Sequence, residues 1–126
     1  MRAVDTNALV RLITRDDARQ AALADAFVEN GAWVSILALA EASWVLQKLY
    51  YRTAAELAAA IGVLLDHKDL TLQAREVVSA ALDLFRERPS LGFSDCMIFE
   101  LARKAGHLPL GTFDRDLGKV EGARKL

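Results

Sequence analysis

Residues 1–13 have the sequence MRAVDTNALVRLI, and this opening decides how the rest of the chain is interpreted. The apolar run MRAV is typical of a short β-strand, and ALVRLI has the spacing of a helix. Asp5 stands between them and is followed by Thr6 and Asn7. Asp, Thr and Asn are good helix N-caps, so capping is one interpretation of Asp5. The other is that a strand ends there and presents its carboxylate to a crevice, and the opening leaves both possible.

The composition is that of one globular domain. The chain has 126 residues, of which 53% are hydrophobic and 26% are charged. This suits a single core, so we expect one domain over residues 1–126. The apolar stretches are too short to span a bilayer, and we expect no export signal. Cys96 is the only cysteine and has no internal disulfide partner, which favours a cytoplasmic location.

The charge balance gives no broad basic surface. Sixteen Lys and Arg residues against seventeen Asp and Glu residues give a formal net charge of −1. A nucleic-acid-binding domain usually carries an excess of positive charge. If this protein handles nucleic acid, it therefore needs a local patch, a metal ion or a partner subunit.

Strand-like and helix-like stretches alternate along the chain. Thr53, with Glu56 three residues later, has the capping-box pattern, and Ser94 and Gly106 are expected to begin and end the last helix. Alternation of this kind predicts an α/β fold, a single α/β/α sandwich with a mainly parallel sheet of four to five strands. The predicted strands are 1–4, 32–35, 69–72, 108–112 and 122–126, and the predicted helices are 6–13, 16–30, 36–51, 53–67, 74–88 and 94–106.

Several acids fall at the ends of these elements. Ligands of open α/β sheets bind outside the carboxyl ends of the strands, near the point where strand order reverses. Asp5 ends the first strand and Asp114 follows the fourth, so the two carboxylates share a crevice if those strands are neighbours. Asp95 begins a helix, where the dipole also favours an acid. Asp114 and Asp116 form a D-x-D turn, which often only hydrogen-bonds the local backbone.

Glu41 lies in a helix that is apolar nearly all round, which predicts a buried helix. Its own face carries Leu37, Ala38, Trp44 and Val45 at about 100° per residue. A buried carboxylate is costly unless it is paired, protonated or bound to a metal. The alternative is that Glu41 lies at an edge of the helix and reaches water.

Taken together, these acids predict a site for a hard cation. Clustered carboxylates repel one another unless a cation neutralises them. Oxygen ligands without His or Cys select Mg²⁺ or Mn²⁺. We interpret His67 and His107 as surface residues rather than ligands.

Four short motifs, in this order, resemble those of the PIN domain family, and most closely its VapC-like toxins. They are VDTNAL with Asp5, LALAEAS with Glu41, FSDCMIFELA with Asp95 and GTFDRDL with Asp114. The resemblance covers essentially the whole chain. It implies an Mg²⁺- or Mn²⁺-dependent endoribonuclease, the toxin of a type II toxin–antitoxin pair.

The resemblance also implies roles for particular residues. Asp5 and Asp95 would be the principal metal ligands, and Glu41 and Asp114 would complete the catalytic site. The residues that would orient these acids, touch phosphate or add a ligand are Thr6, Asn7, Ser94, Thr112 and Asp116. The implied partners are an RNA substrate, a cognate antitoxin and a second copy of the chain in a homodimer. The cations that are candidates for RNA contacts, or else ordinary surface residues, are Arg11, Arg15, Arg103, Lys104 and Arg115.

Other classes of protein fit less well. The main alternative is a non-catalytic PIN-like module that binds RNA or protein. A phosphoacceptor receiver domain needs an aspartate after the third strand, where this chain has QAR. Glycine-rich nucleotide loops and the G-x-S-x-G motif of serine hydrolases do not occur.

Overall fold

The computed structural model describes all residues, 1–126. The chain divides into two compact units, Met1–Arg75 and Glu76–Leu126, which we call the N-terminal and C-terminal units. Each combines helices with parallel strands, which confirms the predicted α/β class. Every helix is too short or too polar to traverse a lipid bilayer.

The N-terminal unit contains a parallel three-stranded sheet with four helices. The strand order is β1-β2-β3, with Val4 opposite Val34 and Val34 opposite Leu72. The carboxyl ends of all three strands therefore lie at one edge of this sheet, where Asp5 and Ser35 follow directly. The elements are β1 (Arg2–Val4), α1 (Thr6–Thr14), α2 (Ala18–Val28), β2 (Ala32–Val34), α3 (Ile36–Lys48), α4 (Ala54–Asp66) and β3 (Leu70–Leu72).

Side-chain caps fix where these helices begin. Asp17 accepts a hydrogen bond from the Gln20 N–H at the start of α2. Thr53 and Glu56 form the predicted capping box of α4, with both reciprocal hydrogen bonds present. Each cap satisfies backbone N–H groups that have no partner inside the helix. The start of α4 predicted from Thr53 and Glu56 is thus confirmed, whereas α2 begins two residues after the predicted position 16.

The C-terminal unit packs two long helices around aromatic side chains. Phe85 and Phe93 meet edge to face, with ring centroids 5.9 Å apart, and Phe99 is also fully buried. Strands β4 and β5 pair in parallel, with Leu110 opposite Ala123. The elements are α5 (Arg75–Glu87), which starts at the unit boundary, α6 (Phe93–Ala105), β4 (Leu110–Thr112), β5 (Ala123–Lys125) and two short 3-10 helices, Pro89–Leu91 and Leu117–Lys119.

Two details differ from the sequence-based expectations. The five strands, each of three residues, form a three-stranded and a two-stranded sheet instead of one ladder. Ser94 does not cap α6, because the helix already begins at Phe93 after Gly92. Gly92 has φ +79, a left-handed conformation that glycine adopts readily. This turn carries Phe93 into the aromatic core.

Candidate functional site

Asp5 caps a helix, as the first interpretation of the opening sequence has it, and its place in a crevice stays a prediction. It directly follows β1, and its backbone is extended, with φ −93 and ψ −176. Its Oδ1 accepts a hydrogen bond of 3.0 Å from the N–H of Ala8, which caps α1. The side chain is exposed, and Thr6 and Asn7 follow in the first turn of α1. Capping therefore fixes the position of Asp5 without removing it from solvent.

Glu41 lies on an exposed stripe of α3, so the prediction of a helix buried on all sides is wrong. Leu37, Trp44 and Lys48 are exposed beside it, while Leu39 and the other residues that face the core are buried. These four exposed positions lie within about one sixth of the helix circumference at 100° per residue. Glu41 thus reaches water, as in the second interpretation of its helix.

Asp95 and Asp114 interact electrostatically within the C-terminal unit. Asp95 lies in the first turn of α6 and is half-buried. Burial raises the pKa of the Asp95 carboxyl above its ordinary value, and the nearby Asp114 carboxylate raises it further. Both causes disfavour the charged form of Asp95. A cation between the two carboxylates would offset both effects.

The turn after β4 holds Asp114 through two hydrogen bonds. Its N–H donates to Thr112 Oγ1 at 3.0 Å, and its Oδ1 accepts from the N–H of Leu117 at 2.8 Å. Local hydrogen bonding of this D-x-D turn is therefore real, and it leaves the second carboxylate oxygen of Asp114 without a bond to this turn. Asp116 is exposed and precedes the short helix Leu117–Lys119, where its side chain makes no capping bond.

Two of the cations considered for RNA binding are already engaged. The Arg11 guanidinium lies 3.1 Å from Asp16 and 2.8 Å from the Tyr50 hydroxyl. Arg15 makes a bidentate pair with Asp25, with N···O distances of 3.0 and 2.6 Å. These bonds raise the pKa of both arginines. Both groups are committed to holding α1 against its neighbours, which lowers their availability for phosphate.

The other basic candidates differ in their pairing. Lys104 Nζ lies 2.7 Å from Glu76, and Arg103 lies 3.4 Å from the buried Glu100. Arg115 is exposed and takes part in none of the chain's four salt bridges. Of the five cations, Arg115 is therefore the most available to an anionic ligand.

The histidines do not point to a metal centre. His67 ends α4, and its Nδ1 accepts a 3.1 Å hydrogen bond from the N–H of Asp69. His107 is exposed. No group of three or more His, Cys, Asp or Glu side chains is arranged to hold a metal ion. The chemistry of the predicted donors nevertheless suits one, because carboxylate oxygens favour Mg²⁺ or Mn²⁺. The four-carboxylate cluster stays a prediction.

The fold and these acids define a class: an α/β protein with carboxylates placed after parallel strands and at helix starts. Residues 2–123 match the model of the PIN domain, and the chain belongs to that family. PIN domains are generally nucleases that use a divalent metal. No curated protein and no solved structure matches the chain significantly.

One feature near the predicted site was not recognised from the sequence. Trp44 and Leu37 were placed on the face of Glu41 but were interpreted as signs of burial. They are exposed instead, together with Lys48. The available signal was that Glu41 and Lys48, the only charged residues of α3, lie on that same face.

Proposed function

We propose that this protein is an Mg²⁺- or Mn²⁺-dependent endoribonuclease. Membership of the PIN family supports a metal-dependent nuclease in general. The observation that carries the proposal is the pair formed by Asp95 and Asp114, in which burial and mutual repulsion raise the pKa of Asp95. Carboxyl groups whose surroundings disfavour the charged form are typical of functional sites. A divalent cation would stabilise Asp95 and Asp114 as anions.

In this proposal Asp5 and Asp95 are the principal ligands, and Glu41 and Asp114 complete the site. A bound divalent ion lowers the pKa of water and polarises phosphoryl oxygens, so no histidine or lysine base is needed. The Ala8 N–H holds the carboxylate of Asp5, as the Leu117 N–H holds that of Asp114. The residues proposed to orient the acids, touch phosphate or add a ligand are Thr6, Asn7, Ser94, Thr112 and Asp116.

Replacing Asp5 by Asn tests the proposal directly. Asn keeps an oxygen that can accept the Ala8 N–H but lacks the negative charge, so the fold should survive. We expect RNA cleavage with Mg²⁺ or Mn²⁺ to fall more than about a hundredfold. Mutating a residue that only hydrogen-bonds a metal ligand already lowers metal affinity or activity by about 10- to 100-fold.

Asp17→Asn is the matched control. Asp17 caps α2 through a 3.0 Å hydrogen bond, just as Asp5 caps α1, but it has no proposed part in the reaction. Its variant should cleave RNA like the wild type. Equal activity of the Asp5→Asn variant and the wild type would refute the assignment. If neither the wild type nor the Asp17→Asn variant cleaves RNA with metal present, but both still bind it, the protein is better explained as a non-catalytic RNA-binding module.

We further propose that the protein is a toxin that a cognate antitoxin neutralises. A groove of about 480 Å³ in the N-terminal unit gives a candidate surface for the antitoxin. Its apolar lining includes Leu12, Ile13 and Val63, and Arg15 and Glu56 lie at the same groove. Such a surface suits an amphipathic helical segment. Expression without the antitoxin should arrest growth of the host in a way that depends on Asp5.

We also propose a homodimer in solution, from the same family resemblance. Two copies would bring together basic residues that are sparse on one chain of net charge −1. Sedimentation equilibrium of the purified chain measures its mass directly. A monomeric mass at micromolar concentration would contradict the dimer and leave the nuclease assignment intact.

A further inference from the structure

The exposed stripe of α3 combines residue types that rarely share an unpartnered surface. Leu37 is 74% exposed and Trp44 is 55% exposed, although α3 is buried on its opposite side. Glu41 and Lys48 alternate with them along the same stripe. An exposed tryptophan leaves a large apolar surface in water, and residues of this kind concentrate where another molecule binds.

The helix presents this stripe rigidly. Ser35 caps α3, its Oγ accepting a 3.0 Å hydrogen bond from the N–H of Ala38. Ala42 and Leu46 are buried beneath it. At 1.5 Å rise per residue, Trp44 lies about 4.5 Å along the axis from Glu41, and Lys48 lies about 6 Å beyond Trp44. A carboxylate, an aromatic ring and a cation thus follow one another at spacings of one helical turn.

We propose that Trp44 stacks on an unpaired base of the RNA substrate, while Lys48 contacts a neighbouring backbone phosphate. This inference rests on the proposed ribonuclease function, because it takes Glu41 to mark the cleavage site. Proteins bind single-stranded nucleic acid by aromatic stacking combined with positive charge along the backbone. Lys48 takes part in none of the chain's salt bridges, so its charge is available. The substrate would then be unpaired RNA rather than a duplex.

The charge pattern favours a nucleotide over a second copy of the chain. The buried centres of protein interfaces are depleted in charged residues, whereas Glu41 and Lys48 lie within this stripe. Within α3 only two large apolar side chains, Leu37 and Trp44, are exposed, and Leu49 and Tyr51 are exposed beyond its end. The apolar surface of these side chains is small compared with the roughly 800 Å² per partner that a stable interface buries. A single base needs only one aromatic face.

The test measures binding separately from cleavage. In EDTA, a short single-stranded oligoadenylate should quench the fluorescence of the Trp33→Phe variant, in which Trp44 is the only tryptophan. Trp44→Leu removes the aromatic plane but keeps an apolar side chain, and it should weaken binding about tenfold to a hundredfold. Trp44→Phe should keep most of the affinity. A blunt-ended RNA duplex, which has no unpaired base, should bind weakly to all of these proteins.

Kinetics give a second readout. With Mn²⁺, Trp44→Leu should raise KM for the oligonucleotide more than it lowers kcat. The wild type should also hydrolyse bis(p-nitrophenyl) phosphate, a phosphodiester without a base. Equal RNA affinity of the Leu and Phe variants would overturn the proposal. So would dissociation of a dimer by Trp44→Leu with unchanged RNA affinity, since a second copy would then occupy the stripe. Failure of the proposed nuclease function, by contrast, would appear as no cleavage of either substrate by the wild type.

Discussion

The acids of the N-terminal unit and those of the C-terminal unit are held in opposite ways. Asp5 and Glu41 are exposed, and the carboxylate of Asp5 accepts a backbone hydrogen bond. Asp95 is half-buried, and its pKa is raised by that burial and by Asp114. Burial and a like charge therefore oppose the charged form of Asp95, whereas the two acids of the N-terminal unit lie in water.

This difference indicates where a cation would act most strongly. A divalent ion gains most where charge is least satisfied by the protein and by water. The C-terminal pair should therefore contribute more to metal affinity than Glu41. The following predictions test the contrast between the two units, from the largest effect to the smallest.

Asp95→Asn should have the largest effect on metal binding. We expect the Mn²⁺ dissociation constant to rise at least about tenfold in calorimetric titration, and Glu41→Gln to raise it by a smaller factor. Asp83→Asn, which changes an exposed acid of α5, is the control and should bind Mn²⁺ like the wild type. A larger effect at Glu41 than at Asp95 would invert the comparison.

The same Asp95→Asn variant should be more stable than the wild type when no metal is present. A raised carboxyl pKa means that the folded chain holds its proton more tightly than the unfolded chain. Wild-type stability therefore falls as pH rises from the ordinary value of 3.8 through the folded pKa. Removing the carboxyl removes that loss, so Tm in EDTA should be higher at neutral pH.

The pH dependence of Tm is the control for the higher stability expected of the Asp95→Asn variant. Below the ordinary carboxyl pKa, Asp95 is protonated in both the folded and the unfolded chain, so the difference in Tm should shrink. Melting curves in EDTA, recorded from about pH 3 to pH 7, measure it. A gain that is equally large at both ends of this range would show that ionisation of Asp95 is not its cause.

In the absence of metal, Asp114→Asn should have a smaller effect, a partial fall in the pKa of Asp95. Burial is the larger cause of that shift and Asp114 the second, so the pKa should fall and still remain above its ordinary value. Asn keeps the acceptor for the Leu117 N–H, which preserves the turn. Carboxyl ¹³C chemical shifts against pH report the change, with Asp116→Asn as the neighbouring control.

The reactivity of the Cys96 thiol is the smallest expected effect. It tests whether burial in the C-terminal unit also disfavours the charged form of this side chain. Burial, with lesser contributions from Asp95 and Glu100, raises the pKa of its thiol to about 12. Because the thiolate is the reactive form, the native protein should react negligibly with a chromogenic disulfide at neutral pH. Denaturation should release one reactive thiol per chain. Rapid reaction of the native protein would contradict the burial of Cys96 within α6.

Local chemistry explains why most elements were predictable. Thr53 and Glu56 specify the start of α4 by their own hydrogen bonds. Gly106 ends α6 with φ +82, a conformation in which glycine is favoured. The start of α6 was misplaced at Ser94 because the burial of Phe93, a tertiary effect, extends the helix by one residue. The capping preference of Ser94 is thus overridden by the burial of the Phe93 side chain.

The sequence by itself determined the α/β class, the order of the elements and the positions of Asp5, Glu41, Asp95 and Asp114 along them. These follow from periodicity and capping, which act between residues close in the chain. Only the tertiary structure decided that Leu37 and Trp44 are exposed and that burial and Asp114 raise the pKa of Asp95. Solvent exposure and through-space charge depend on segments distant in sequence, and no local pattern encodes them.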